Sequence, residues 1–323
     1  MAEVGIRKVQ RLGASSLIIT LPHSWVKRVN LKPGDSVMVV DEGLSLRLAP
    51  ISRTSKSRTA KVDLRSVRDS MVLNLLIPCL YILGYDEVDI KLSERDTYPL
   101  SRIRSATLRL PGLEVVDLGG DGITAKVLLD PGKVDLRTSI RGMTILTSNI
   151  VRAIARAVGG ELTGDAEAEI RSLSEELYRL RSIVERQLHV YPYAPYKDEG
   201  LNPILALTAL TLLGLMDALL LDTVAIVKGG FRPSRELSGI LSRLGDLIPL
   251  IGSAIASPSV RRAVEVLMVL QKVQEDTVNL VRSKALEDLQ YIIATRVVDL
   301  VKILQIICYA VTCVGLFREG EGV

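Results

Sequence analysis

The chain has few aromatic residues and few of the side chains that catalyse reactions or bind metals. Its 323 residues include one Trp, two Phe, nine Tyr, two His and three Cys. Proteins that hold single-stranded nucleic acid stack its bases on aromatic side chains, so this shortage argues against that kind of binding. The many Leu, Ile, Val and Ala residues instead favour long helices that pack through aliphatic side chains.

The three cysteines, Cys79, Cys308 and Cys313, lie in apolar helical sequence, and no secretory signal pattern opens the chain. We interpret Cys308 and Cys313 as buried apolar residues rather than zinc ligands, because no His or other Cys is near them in the sequence. We therefore expect a cytoplasmic protein.

The common catalytic patterns are also missing. The only histidines are His23 and His189, and the chain has no G-x-S-x-G motif, no phosphate-binding loop of the G-x-x-x-x-G-K-[ST] type and no cysteine beside a base. The residue patterns that nucleophilic catalysis and phosphoryl transfer require are therefore missing from the sequence. We predict a protein that is not an enzyme and has no resident cofactor.

Two apolar stretches without charge, residues 201–216 and 303–317, are sixteen and fifteen residues long. Roughly 18 or more apolar residues are needed to span a membrane. Asp217, Asp222 and Lys302 also lie on the same predicted helices. We therefore expect buried bundle helices rather than an integral membrane protein.

Positive charge is concentrated at one end of the chain. Residues 1–61 contain eleven Lys and Arg against four acidic residues, whereas the whole chain has a net charge of only +4. The rest of the chain is therefore slightly acidic. A local excess of cations is typical of a surface that attracts phosphate backbones.

The first fifty residues predict a small β-rich module. Residues 5–11 and 16–21 read as strands, Pro22 opens a short helix, and residues 37–39 and 46–48 read as a second pair of strands. So short a module hides little apolar surface, so we expect it to complete its core by pairing with a second copy.

The run GASSLIITLPHSWVKRVNLKPGDSV, residues 13–37, resembles the AbrB-like, or SpoVT/AbrB, swapped-hairpin DNA-binding domain. The resemblance implies an interleaved homodimer that presents arginines from both chains to duplex DNA. His23 stands where related archaeal sequences often have Lys. The DNA-contacting residues implied by the resemblance are Arg7, Lys8, Arg11, Ser15, Ser16, Lys27 and Arg28.

An alternative for the same residues is that they are ordinary solvated cations on a small sheet. Some relatives of the domain serve in toxin and antitoxin pairs or in membrane-linked roles. We favour DNA contact because the charge excess is local and lies in the matching strands.

Beyond this module we expect a flexible basic linker, residues 51–61, and a small α/β module, residues 62–132. The predicted elements of that module are helices 66–83 and 99–110, a strand at 88–92 and a hairpin of strands 113–118 and 123–129.

Residues 133–323 are almost wholly helical in pattern, so the predicted fold class is α+β and mainly α. Their order, together with LDPGKVDLRTSIRGM and SLSEELYRLRSIVERQL, resembles the PhoU family of phosphate-uptake regulators, built from two three-helix bundles. The pairing of an AbrB-like domain with a PhoU-like part recurs in archaeal proteins. The predicted helices are 135–158, 165–190, 202–228, 234–256, 259–284 and 287–317.

PhoU proteins bind metals through acidic residues four apart on a helix, and this chain has lost most of those pairs. Glu161, Asp165 and Glu169 keep the spacing, but helix capping explains them. We predict no tightly held multinuclear cluster. Asp222 and Asp299, each expected to be buried in an apolar helix, are weak candidates for a divalent metal; pairing with Arg296 and Lys302 is the alternative that we favour.

The sequence thus predicts a dimeric transcription regulator of duplex DNA whose helical part senses a signal connected with phosphate supply. Two alternatives stay open. One is a cytosolic adaptor that docks on phosphate transporter subunits. The other is an architectural nucleoid protein that binds DNA without sequence preference.

Overall fold

The computed structural model describes residues 5–13, 16–41, 45–50, 57–63, 70–92, 100–119, 122–128, 134–161, 164–190, 202–283 and 285–320. The chain divides into two compact units. The first contains the described residues up to position 50, and the second contains those from position 57 onward.

The described residues of the first unit form two hairpins and one short helix. Strands β1 (Gln10–Leu12) and β2 (Ser16–Ile18) pair antiparallel, helix α1 spans His23–Val29, and strands β3 (Val37–Asp41) and β4 (Leu46–Pro50) form the second hairpin. This is the predicted order of elements, but the first two strands are shorter than predicted. The two hairpins are separate two-stranded sheets, and within the described residues they do not close into a barrel. A barrel needs every strand edge to be paired, and one copy has too few strands for that.

The second unit begins with a four-stranded sheet in the order β5–β6–β8–β7. Its strands are β5 (Thr59–Asp63), β6 (Glu87–Lys91), β7 (Leu113–Gly119) and β8 (Gly122–Val127). The prediction that residues 51–61 form a linker was wrong for residues 59–61, which belong to β5. Ala60 and Val62 alternate with polar residues, and this period of two suits a strand with one buried face.

Helices α2 (Ser70–Ile82) and α3 (Leu100–Leu108) supply the apolar residues that pack against this sheet. The uncovered face is polar: Thr124 donates a hydrogen bond to Asp89 at 3.0 Å, and Lys126 lies 3.3 Å from Glu87. The core is formed by Ile77, Tyr81, Val88, Ile90, Ile103, Leu110, Leu113, Ile123 and Ala125.

Six long helices follow in the part of this unit that the structure describes, each within a few residues of its predicted bounds. Several begin at a residue whose side chain accepts a backbone N–H from three residues further on, as Asp135 does from Thr138 at 2.8 Å. Asn202, Ser234 and Ser259 cap their helices in the same way. The helices are α4 (Leu136–Arg156), α5 (Gly164–Val190), α6 (Pro203–Lys228), α7 (Arg235–Ala256), α8 (Val260–Arg282) and α9 (Asp288–Gly320).

Helices α4 and α7 cross closely through small residues. Ser148 donates its hydroxyl to the carbonyl of Gly245 at 2.7 Å. A Cβ atom on Gly252 would lie 2.8 Å from the Cβ of Thr144, which is closer than real Cβ atoms approach. The contact between these two helices therefore depends on glycine at position 252.

The sheet and the helices form one compact unit rather than the separate modules 62–132 and 133–323 that the sequence predicts. Tyr178 of α5 packs against the sheet's core. Arg109, which follows α3, lies 2.9 Å from Glu175 and its guanidinium stacks 4.2 Å from the ring centroid of Tyr178.

Helices α6, α7 and α9 are long and apolar enough to cross a membrane, judged by length and composition alone. They differ in how much of the apolar stretch the fold covers. The most apolar window is 61% buried in α7 but only 39% in α6 and 44% in α9. Helices α6 and α9 therefore keep much of their apolar surface exposed.

Candidate nucleic-acid interface

The described residues of the first unit form no buried core in a single copy. None of the described residues between positions 5 and 50 is buried. Large apolar side chains instead lie on the surface, including Ile6 at 94% exposed, Leu17 at 70% and Leu46 at 65%. Burial of such side chains is the main force that stabilises a fold, so this unit lacks that stabilisation as a single copy.

Arg7, Lys8 and Arg11 lie in the extended segment that leads into β1 and on β1 itself, and all three are exposed. Within the described part of the chain none of them has an acidic side chain within 4 Å. Arg7 donates to the neighbouring carbonyl of Ile6, at 3.3 Å. Three cations without acidic partners therefore follow one another along one strand and its approach.

Lys27 and Arg28 occupy the last turn of α1 and are also exposed. A cation at this end of a helix stabilises the negative end of the helix dipole, so a local structural role exists for both beside any contact with phosphate. Ser16 begins β2 and is exposed, and Ser15 lies outside the described residues. The exposed His23 is the first residue of α1.

A shallow cleft of about 270 Å³ lies between α1 and β4. Trp25, Leu46 and Leu48 give the cleft an apolar lining, and Arg28 also lines it. The cleft is an opening between the elements of this unit that one copy leaves unfilled.

Comparison with known proteins bears on this unit alone. Residues 10–56 match the family model MazE_antitoxin, described as antidote-toxin recognition MazE, bacterial antitoxin. The N-terminal unit is thus a MazE/AbrB-like domain. The match supports the AbrB-type part of the predicted resemblance and does not extend to the second unit. No curated protein and no solved structure matches the chain.

The two weak metal candidates are not brought together as a metal site. Asp222 was expected to be buried, and that prediction was wrong, since its side chain is 65% exposed on the outer face of α6. Its carboxylate lies 3.9 Å from the guanidinium of Arg296 on α9. Asp299 lies half-buried on α9. Among the residues that the structure describes, no three His, Cys, Asp or Glu side chains are close enough to share a metal ion.

The more buried carboxylate on α6 is Asp217, to which the sequence gave no role. Ser174 of α5 donates its hydroxyl to Asp217 at 2.9 Å. Burial raises the pKa of Asp217 above its ordinary value, while the hydrogen bond from Ser174 and the charge of Arg181 oppose that rise. Asp217 lies one position beyond the uncharged run 201–216, but Asp222 follows the same run, so the sequence of α6 alone does not single out Asp217.

Sequence reasoning also missed Arg186, the buried arginine of α5. Its guanidinium donates to the carbonyls of Tyr81 and Tyr85 and to the carboxylate of Asp86. Burial lowers the pKa of Arg186, and Asp86 and Tyr81 oppose that effect. Burial also raises the pKa of Tyr81 to about 12, and Arg186 opposes that rise. These contacts position the sheet on α5.

Proposed function

We propose that the chain is a DNA-binding transcription regulator that grips duplex DNA through a dimer of its N-terminal units. The observation that carries this proposal is the absence of a buried residue among the described residues from 5 to 50. It combines with three cations, Arg7, Lys8 and Arg11, that have no acidic partner within the described part of the chain. A unit of this composition needs a second copy to stabilise its fold.

Pairing is supported by the exposed apolar residues of the hairpins. Ile6, Leu17 and Leu46 are each at least 65% exposed, and a second copy would bury them. Burying one such side chain contributes roughly 1.5–3 kcal/mol, so a few of them per copy outweigh the entropy lost on association. The resemblance to an interleaved dimer agrees with this step.

Pairing also doubles the number of cations. Arg7, Lys8 and Arg11 of each copy would form one positive platform, and Lys27 and Arg28 would extend it. Lys and Arg neutralise phosphates, and one arginine can read guanine through two parallel hydrogen bonds to its major-groove edge. The phosphate contacts provide affinity, and any base contact provides sequence preference.

The helical part then acts as the sensor or partner-binding part of the regulator. We propose that its signal is connected with phosphate uptake, on the basis of the resemblance to PhoU proteins in helix order. A regulator of duplex DNA of this kind works in the cytoplasm and needs neither catalysis nor a cofactor.

Fluorescence anisotropy with labelled duplexes tests the proposal. We expect the purified full-length chain to bind a duplex of about 30 base pairs as a dimer at low salt, and to lose affinity steeply as salt rises. Genomic binding sites mapped under phosphate-rich and phosphate-starved conditions then test the regulatory role. Absence of duplex binding at low salt would overturn the proposal that the chain binds DNA.

A second candidate function follows from the family match of residues 10–56, which is to a bacterial antitoxin. In that case the N-terminal unit recognises a protein toxin, alone or in addition to DNA. Stable co-purification of one small protein from the native host, with no duplex binding by the purified chain, would favour this candidate.

The same measurements separate the two remaining alternatives. Binding of unrelated duplexes with equal affinity indicates an architectural nucleoid protein. Recovery of phosphate transporter subunits with the chain, without duplex binding, indicates an adaptor.

A further inference from the structure

We propose that α9 of one copy packs antiparallel on α9 of a second copy, which forms an interface in the helical part separate from the N-terminal dimer. The surface involved is the α9 stripe, defined as Ile292, Thr295, Asp299, Lys302, Ile306 and Tyr309. This proposal goes beyond DNA binding and does not depend on it.

The α9 stripe follows one side of the helix, because its members are three or four residues apart. Its apolar members are unusually exposed for such side chains: Ile292 is 39% exposed, Ile306 51% and Tyr309 57%. Tyr291, at 50%, lies beside one end of the stripe, and Leu316, at 56%, lies beyond the other end. The opposite side of α9 is buried against α6, α7 and α8.

The stripe is complementary to the same stripe of a second copy that runs in the opposite direction. A two-fold axis crossing α9 between positions 300 and 301 would place Asp299 opposite the second copy's Lys302. The same axis would place Ile292 opposite the second copy's Tyr309, and Thr295 opposite the second copy's Ile306. Each contact then occurs twice, as in every two-fold interface between identical chains.

The two charges at the centre of the stripe match the opposite charges of a second copy. Within the described part of the chain, neither Asp299 nor Lys302 has an oppositely charged side chain within 4 Å. Asp222 and Arg296, on the neighbouring turns of α6 and α9, do have each other at 3.9 Å. An acid and a base, both without a partner, thus lie one turn apart on a stripe that is otherwise mostly apolar.

Helix α6 extends the same surface. Asp222 of α6 lies 3.9 Å from Arg296 of α9. Arg232, four residues after the end of α6, lies 2.8 Å from Glu287, the residue before α9. Later positions of α6 thus meet earlier positions of α9, so the two helices run antiparallel. Leu215 is 50% exposed on α6, and Leu207 and Ile204 are 39% and 76% exposed nearer its start. They lie at the same end of the helix pair as Ile306 and Tyr309.

The exposed area fits a dimer. Six to eight half-exposed apolar side chains, at on the order of 100 Å² each, give about 700 Å². The largest apolar patch on an ordinary monomer is about 300–600 Å², and a standard interface covers about 800 Å² on each partner. A second copy is also a better occupant than lipid, because Asp299 and Lys302 lie in the middle of the stripe and charged side chains are costly in hydrocarbon.

Cysteine cross-linking of the full-length chain tests the proposal. Cys313 is exposed, so the prediction that it is buried was wrong. The double variant Ile292→Cys/Tyr309→Cys is made in a background with Cys313 and the exposed Cys79 changed to Ser. Positions 292 and 309 are about 25 Å apart on one helix, so no disulfide between them can form within a chain. We expect mild oxidation to give a covalent dimer for the double variant and almost none for either single variant, which is the matched control.

Charge reversal in the same cysteine background provides a second measurement. Asp299→Lys and Lys302→Asp each place like charges opposite one another, and we expect each to slow cross-linking about tenfold. The variant with both changes restores the opposite charges and should recover most of the rate.

The proposal is overturned if the double-cysteine variant links no faster than the single variants, or if the two reversals together do not recover the rate. It is also overturned if the chain binds phosphatidylcholine vesicles through Tyr309 without cross-linking.

Discussion

Arg186 and Asp86 form an ion pair of 2.6 Å although they are 100 residues apart in the chain. The side chain of Arg186 is 5% exposed, and its second nitrogen donates to the carbonyls of Tyr81 at 2.6 Å and Tyr85 at 2.8 Å. The other oxygen of Asp86 accepts the backbone N–H of Arg58 at 2.9 Å. One arginine thus joins α5 to the end of α2 and, through Asp86, to the segment that enters β5.

Replacing Arg186 by Ala should destabilise the second unit strongly. The change leaves the Asp86 carboxylate and two carbonyls without their donor, and removal of one partner from a buried ion pair costs about 3–5 kcal/mol. Arg186→Lys should recover little of this, because one ammonium group cannot reproduce the planar arrangement of donors. Urea unfolding followed by circular dichroism measures the change.

Arg109→Ala is the control for that measurement. Arg109 also pairs with an acid on α5, Glu175, but the two side chains are 49% and 55% exposed. Exposed pairs contribute roughly 0–1 kcal/mol. Equal losses for Arg109→Ala and Arg186→Ala would contradict the view that burial makes Arg186 important.

Glycines 252 and 239 lie on the same helix, α7, and should respond in opposite directions to alanine. A Cβ on Gly252 would collide with Thr144 of α4, whereas a Cβ on Gly239 meets nothing within 4 Å. We expect Gly252→Ala to cost about 1–3 kcal/mol through overpacking. Gly239→Ala should stabilise by roughly 0.5–1 kcal/mol through helix propensity.

Thermal unfolding of both glycine variants measures these effects. If Gly252→Ala is as stable as Gly239→Ala, the close contact between α4 and α7 is not required for the fold.

The long helices could be predicted because their signals are local. The caps Asp135, Asn202, Ser234 and Ser259 are each followed by apolar residues at helical spacing, and the observed helices begin next to these positions. Strand β5 was missed since its five residues, TAKVD, follow a run of Ser, Thr and cations that is typical of a linker. Only pairing with β6, more than twenty residues later, makes this segment a strand.

The contacts of the candidate site could be predicted only in part. The cations of the first unit are visible as a local charge excess, and the family match covers the same region. The sequence does not show in the same way which side chains are buried. Asp222 and Asp217 are both acids on α6, and whether each is exposed or buried depends on the neighbouring helices, which the order of residues in α6 does not determine.

Asp217 should make stability depend on pH. Because burial raises its pKa, the folded state holds this proton more tightly than the unfolded chain does. Protonated Asp217 therefore stabilises the fold at pH values below the ordinary carboxyl pKa, and this stabilisation is lost as pH rises through the raised pKa. Asp217→Asn removes that loss and should raise the Tm at pH 7 by on the order of 1–3 °C, with the difference from wild type shrinking below about pH 4.

Scanning calorimetry between pH 3.5 and pH 8 measures this effect. The control is Asp222→Asn on the same helix, whose side chain is 65% exposed and should give no comparable gain. A gain for Asp217→Asn that is equally large at acid and neutral pH would show that ionisation of Asp217 is not its cause.

The salt dependence of DNA binding should identify the cations that contact phosphate. In a dimer each substituted cation is lost twice, and each neutralised phosphate contributes about 0.9 to the slope of log K against log salt. We expect Arg7→Ala and Arg11→Ala each to reduce that slope by about 2.

The matched control is Arg261→Ala, which removes an arginine that is 89% exposed on α8 in the helical part. It should leave both the affinity and the slope unchanged. If all three variants lower the slope equally, the binding reflects the net charge of the protein and the N-terminal unit is not the DNA-binding surface.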